Sequence, residues 1–117
     1  MKMKNSILVA EEYFKLANKA ALSEMRDLLS DTATYSSSEL GVYFKPDQIL
    51  EMMQSFFKEF RHLNWNINEI KEIRLGVVEI DFLFNGLTVE GNTVIRLGTE
   101  YIVVNEGKIE HIEVRFK

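Results

Sequence analysis

The chain has 117 residues, 46% of them hydrophobic and 27% charged, with a net charge of -4; such proportions describe one folded domain over residues 1–117, not a disordered or multidomain chain. With no cysteine and only two histidines, His62 and His111, disulfides, thiolate metal sites and cysteine nucleophiles are excluded and no zinc ligand set is written, although an all-carboxylate Mg²⁺ or Ca²⁺ site is not. The acidic balance leaves no electrostatic footprint for nucleic acid, and six scattered glycines make no phosphate-cradling loop, so no metal, no cofactor and no nucleic-acid partner are expected.

The start is basic, but its apolar run Ile7-Leu8-Val9-Ala10 stops at Glu11-Glu12, too soon for a signal segment or a membrane span; no membrane partner and a cytoplasmic location are expected. From Ser6 to about Ala21, Val9, Tyr13, Leu16, Ala17 and Ala20 recur at spacings of three and four, which predicts a helix with Ser6 as its cap. Leu22, Met25, Leu28 and Leu29 extend the period to Asp31, and the absence of glycine at Ala20-Ala21 allows two nearly continuous helices. Thr32 to Ser38 alternates as a strand with Ala33, Tyr35 and Ser37 on one face. Pro46 and Asp47 open a third helix that runs to about Arg61, with a stripe of Ile49, Met53, Phe56 and Phe60 broadened by Met52 and Phe57. That stripe reads as packing against a sheet in preference to a partner surface, and His62 sits at the helix end with no chemistry assigned.

Beyond Leu63 the pattern is β throughout. Leu63, Trp65 and Ile67 alternate with asparagines; Val78, Ile80, Phe82 and Phe84 form one apolar face; Leu97, Thr99, Tyr101 and Val103 repeat it, as do Ile112, Val114 and Phe116. Asn85-Gly86 and Gly91-Asn92 both signal a hairpin. Placing the turn at Gly91-Asn92 sets Phe84 opposite Thr99, Phe82 opposite Tyr101 and Ile80 opposite Val103, and makes Gly86 a bulge or bend. A four-residue loop at Asn105–Lys108 sets Tyr101 opposite Ile112 and Glu100 beside Glu113, with a further bulge needed for Ile109. In this register Glu79, Asp81, Arg96, Glu100, His111, Glu113 and Arg115 all point outward, where a solvated or dimer-facing surface is the simplest reading.

This order, with Glu12-Tyr13-Phe14-Lys15-Leu16-Ala17-Asn18 in the first helix, Leu28-Leu29-Ser30-Asp31-Thr32-Ala33-Thr34-Tyr35 into the first strand, and Gly98-Thr99-Glu100-Tyr101 and Glu106-Gly107-Lys108-Ile109 near the end, resembles the nuclear transport factor 2-like superfamily, which includes ketosteroid isomerases and SnoaL-like polyketide cyclases. The resemblance implies an α+β, cystatin-like cone: three N-terminal helices packed on a strongly bent, mixed but mostly antiparallel sheet. It also implies a small-molecule pocket at the open end and a homodimer through the outer sheet face. It implies no one reaction, because the fold hosts many. Ketosteroid isomerase chemistry needs a carboxylate base plus a tyrosine and a protonated acid; Tyr13 matches the tyrosine, but Ser37 falls at the base and Thr99 near the acid. The dehydratase and cyclase relatives use His and Asp pairs inside the cone, and here His111 and Asp81 carry outward parity.

A small apolar or aromatic ligand is therefore expected to meet Tyr13 and Tyr35 as hydrogen-bond donors, Ser37 and Thr99 as orienting hydroxyls, and Trp65, Phe82 and Tyr101 as stacking area. The same rings equally suit a filled core. No catalytic residue is assigned, and binding is expected over catalysis. An isomerase, dehydratase or hydrolase is the alternative if a one-residue slip turns Glu100 or Asp81 into the cone beside Tyr13; a non-enzymatic association module with a filled cone is the third.

Overall fold

In a computed structural model that describes residues 5–117, the basic start, Met1 to Lys4, lies outside the described residues. The elements are α1 (Ser6–Asn18), α2 (Leu22–Leu28), β1 (Leu29–Ser37), β2 (Gly41–Phe44), α3 (Lys45–Phe57), β3 (Phe60–Arg74), β4 (Val77–Thr88), β5 (Thr93–Asn105) and β6 (Lys108–Phe116). On α1, Val9, Tyr13 and Ala17 of the predicted stripe are buried together with Ala10 and Phe14, whereas Leu16 is half-buried and Ala20 lies exposed past the helix end. Its cap, however, is Asn5: the side-chain oxygen accepts from the Ile7 amide at 2.8 Å. Ser6, one residue inside, donates its hydroxyl to Glu72 Oε2 at 2.6 Å. Ala20 adopts a left-handed φ of 52°, so the helices break there instead of continuing. The third helix ends at Phe57, short of Arg61, because the chain enters β3 at Phe60; His62 is thus an exposed strand residue, not a helix end.

Six strands form one mixed sheet in the order β2-β1-β6-β5-β4-β3, with β1 parallel to β6 and all other pairs antiparallel. The short β2, which among the described residues pairs with β1 alone, is not foreshadowed by the sequence pattern. The bending comes mainly from β3. Against β4 its register slips between Phe60 and His62, Ile67 and Glu69, and Glu72 and Arg74, leaving Arg61, Asn68 and Ile73 as extra residues. Each bulge bends its strand and increases the twist, so β3 curls across the open side of the helices. The irregularity expected at Gly86 lies on the facing strand: β4 is continuous, and Gly86 leaves room for the Phe60 ring, which a Cβ would approach to 2.7 Å.

The β4–β5 hairpin corrects the predicted register. Thr88 N donates to the Asn92 carbonyl at 2.8 Å, the Asn92 amide donates to the Thr88 hydroxyl at 2.9 Å, and Gly91 has φ +96°. The loop is therefore Val89-Glu90-Gly91, a three-residue connection with glycine in the left-handed position, and not a two-residue turn at Gly91-Asn92. Phe84 faces Arg96, Phe82 faces Gly98 and Ile80 faces Glu100. The odd displacement turns every β5 side chain to the opposite face: Gly98, Glu100, Ile102 and Val104 are buried, whereas Thr99, Tyr101 and Val103 lie on the convex side.

At the β5–β6 connection the loop is two residues, Glu106 and Gly107, both with positive φ, as a type I′ turn requires. Glu110 is then the extra residue that lets Ile109 and Ile112 both point inward, which is the bulge Ile109 calls for. Tyr101 accordingly faces Glu113, and Ile102 faces Ile112.

Gly98 sits beneath Phe82, and a Cβ there would come within 2.5 Å of the ring and 3.0 Å of the Arg115 carbonyl. Gly98→Ala should destabilise the domain by roughly 1–3 kcal/mol through overpacking, read as a lower urea midpoint at unchanged slope; an unchanged midpoint would show that the ring has room to move.

Candidate functional site

Where the bent sheet meets α1 and α3 it leaves a cavity of about 120 Å³. Aromatic rings form much of its wall: Phe56 on α3 lies 5.1 Å from Phe60, 5.9 Å from Trp65 and 5.7 Å from Phe84, and Trp65 lies 4.9 Å from Phe84. Trp65 is held by Asn18 at the end of α1, whose amide group donates to the Trp65 carbonyl at 3.0 Å and accepts from its N–H at 2.7 Å. One side chain thereby ties the edge strand to the helix, as a neighbouring strand would.

The deep polar groups are Tyr13 from α1, Tyr35 from β1 and Glu100 from β5, all lining the cavity and all buried. Glu100 is only 5% exposed, and its Oε2 has no hydrogen-bond partner among the described residues. Burial without a compensating donor disfavours the ionised carboxylate, and Glu100 is pushed up to about 8. Tyr13 and Tyr35 are raised as well, first by burial and then by the nearby Glu100, so both phenols stay protonated. Among the described residues the acceptor within reach of the Tyr13 hydroxyl is the Met53 sulfur at 3.8 Å, a weak acceptor. The cavity floor thus gathers a neutral carboxylic acid and two hydroxyls with donor capacity to spare. At the rim, Arg96 of β5 and Glu39 of the β1–β2 turn form an ion pair.

Of the seven residues expected to meet a ligand, Tyr13, Tyr35 and Trp65 line the cavity. Phe82 points to the same side but is packed between Phe14 and Phe116, behind the wall. Ser37 is inward and buried, yet its oxygen accepts from the amides of Glu39 and Leu40 at 3.2 and 3.1 Å, which shapes the turn. Thr99 and Tyr101 are on the convex face: Thr99 donates to Asp81 at 2.8 Å, and hydrogen bonding to Glu79, its cross-strand neighbour, raises the Tyr101 hydroxyl. Asp81 and His111 point outward as parity predicts, whereas Arg96 and Glu100 point inward. The residues missed are therefore Arg96 and Glu39, together with Met52, Phe56 and Phe57, whose helical stripe reads as plain packing; Glu100 enters as the alternative of a register slip allows. Gly91 belongs to both possible turns, so the register is set by the Thr88–Asn92 contacts and not by a glycine signal.

No protein-family model and no curated protein matches the sequence, but the fold has many counterparts among solved structures. An NTF2-like protein of unknown function from Burkholderia pseudomallei superposes with a TM-score of 0.86 at 12% identity, covering 98% of this chain and 92% of the other. A putative SnoaL-like polyketide cyclase from Jannaschia gives 0.84 at 10%, covering 96% and 85%. A hypothetical protein with a ketosteroid isomerase-like fold from Catenulispora acidiphila, solved in complex with trimethylamine, gives 0.83 at 10%, covering 91% and 82%. These likenesses establish the nuclear transport factor 2-like fold.

Glu100 also makes stability depend on pH. Its carboxyl is raised from 4.5 to about 8 on folding, so the folded state holds the proton more tightly. The stability this confers is complete below pH 4.5 and is lost as pH rises towards 8. At 1.36 kcal/mol per pH unit the loss is roughly 4–5 kcal/mol. Urea unfolding of the Glu100→Gln variant should show no such decline and should exceed the parent in stability at pH 9; a parent curve that is flat from pH 5 to 8 would refute the burial argument.

Proposed function

We propose that this chain is a cofactor-independent acid–base enzyme of the isomerase or cyclase type, acting on a small, mostly apolar carbonyl or enol compound. The observation that carries the reading is Glu100: a carboxyl with a free oxygen, lining an aromatic cavity beside Tyr13 and Tyr35. It is the arrangement that favours catalysis over simple binding, since a proton-transferring group is now available on the concave face. Of the three ketosteroid isomerase elements Tyr13 has a counterpart, Glu100 is, among the described residues, the one buried carboxyl lining the cavity, and Ser37 still stands where the base would be and is committed to the turn. Glu100 must accordingly supply the base itself. With its carboxyl near 8, an ionised fraction persists at neutral pH and is a stronger base than an ordinary carboxylate.

In the proposed reaction the Glu100 carboxylate takes a proton from the carbon next to a carbonyl. Charge moves to the carbonyl oxygen, where the Tyr13 and Tyr35 hydroxyls donate hydrogen bonds to it. Glu100 then returns the proton two carbons further along, and the double bond shifts with no net change in composition. At about 120 Å³ the cavity is somewhat smaller than the roughly 150 Å³ that accepts benzene, so size limits the substrate to one small ring with its substituents reaching the rim. The small molecule carried by the Catenulispora protein is in keeping with this scale. The direct test is conversion of a six-membered β,γ-unsaturated ketone to its conjugated isomer, followed by ultraviolet absorbance. Acceleration over buffer should fall by about 100-fold or more in Glu100→Gln, and full activity in that variant would remove Glu100 from the mechanism.

We further propose that the chain works as a homodimer through the convex face. Leu83 and Leu97 face each other across β4 and β5 there, and Ile95 beside them is 63% exposed; apolar side chains grouped on an outer sheet are a natural place for a second copy. Sedimentation should give twice the 13.6 kDa chain mass, reduced to one chain by Leu97→Glu. A parent protein that sediments as a single chain would exclude this assembly.

A further inference from the structure

From the rim of the same cavity we propose that Arg96 is a carboxylate-binding residue, so that the preferred ligand is a small cyclic acid: a ring with its carbonyl, enol or phenol oxygen at the floor and a carboxylate at the mouth. This rests on the floor being a ligand site as proposed above. Arg96 and Glu100 are both inward positions of β5, separated by Gly98, which puts their Cα atoms roughly 13 Å apart at about 3.3 Å per residue. Both side chains line the same cavity, so a single substituted ring placed between them is asked to meet one at each end. The Arg96 guanidinium is already oriented: its carbon lies 4.4 Å from the centre of the Phe116 ring, a cation–π contact that fixes its plane.

That oriented fork holds a carboxylate now. Nη1 of Arg96 donates to Glu39 Oε1 at 2.7 Å and Nη2 donates to Oε2, the bidentate geometry that guanidinium groups use to recognise carboxylates. Glu39 belongs to the short turn between β1 and β2 and lines the cavity with Arg96. Its side chain is 45% exposed and that of Arg96 34%, and ion pairs this open to water contribute little. Glu39 is thus an internal stand-in: a ligand carboxylate replaces it on Arg96 while Glu39 turns out to solvent. The site then discriminates twice, by a neutral donor set at the floor and a cation at the rim.

Trp65, the only tryptophan, lines the cavity and reports binding by fluorescence. The probes are para-hydroxybenzoate, its methyl ester and phenol. The acid should bind the parent protein at least tenfold more tightly than the ester. Arg96→Gln should bring that ratio to about one, and Glu39→Gln should raise it several-fold because the internal competitor is gone. Equal binding of acid and ester by the parent, or a Glu39→Gln variant with an unchanged or lower ratio, overturns the assignment of Arg96 while leaving the floor site intact. Failure of all three probes to perturb Trp65 overturns both.

Discussion

Because Val89, Glu90 and Gly91 close the β4–β5 hairpin as a three-residue loop, β5 presents Arg96, Gly98, Glu100, Ile102 and Val104 to the helices instead of Leu97, Thr99, Tyr101 and Val103. Side chains on a strand alternate with a period of two, and β5 pairs with β4 without a bulge, so the face chosen at the turn holds along the strand. The rest of the concave surface follows from this choice. Gly98 falls opposite Phe82 and lets that ring pack close to the strand behind the cavity; Glu100 falls opposite Ile80, deep in the apolar interior. The convex face receives Thr99 and Tyr101, which settle against Asp81 and Glu79.

A buried carboxyl of this kind opposes folding whenever it is ionised, and the cost above pH 8 is a sizeable part of the stability of a domain this small, typically about 5–15 kcal/mol. The surrounding architecture offsets it with apolar burial and keeps the cavity from collapsing. Bulges at Arg61, Asn68 and Ile73 curve β3, Asn18 fixes the strand at Trp65, and the interlocked rings of Phe56, Phe60, Trp65 and Phe84 prop the wall. Rings suit this task because they are large and stiff, with few torsions to rearrange into an empty space.

The helices, the first strand and the inward face of β4 were legible because each rests on local periodicity: the stripe of α1, the alternation of Ala33, Tyr35 and Ser37, and the run Val78, Ile80, Phe82 and Phe84 all recur in the structure. The β5 face was not, because its two sides carry similar hydropathy. Leu97 and Val103 on one side compete with Ile102 and Val104 on the other, so alternation alone does not choose between the faces and turn chemistry must decide. Both candidate turns contain glycine, and what separates them is the Thr88 hydroxyl binding the Asn92 amide, a side-chain contact with no trace in periodicity. The site inherited this ambiguity: Tyr13, Tyr35 and Trp65 came from unambiguous elements, whereas Glu100 and Arg96 came from the strand whose parity was wrong. Glu39 comes from a turn, where alternation says nothing.

The two ends of the cavity work in opposite electrostatic regimes, and that contrast gives the site its direction. At the floor, Glu100 has no hydrogen-bond partner for Oε2 among the described residues and burial raises its carboxyl to about 8, so it is predominantly a neutral acid at pH 7. At the rim, Arg96 is always charged, and Glu39, held low by its hydrogen bond to Arg96, stays ionised. A ligand entering with a carboxylate leading would have to leave water for an apolar floor that already holds an acid, whereas one entering with its neutral oxygen leading keeps its charge at the wet rim. In the proposed reading, desolvation would therefore orient such a ligand before any specific hydrogen bond forms. In the reaction proposed above, the ionised fraction of Glu100 would then meet the carbon next to the carbonyl, from which it takes the proton.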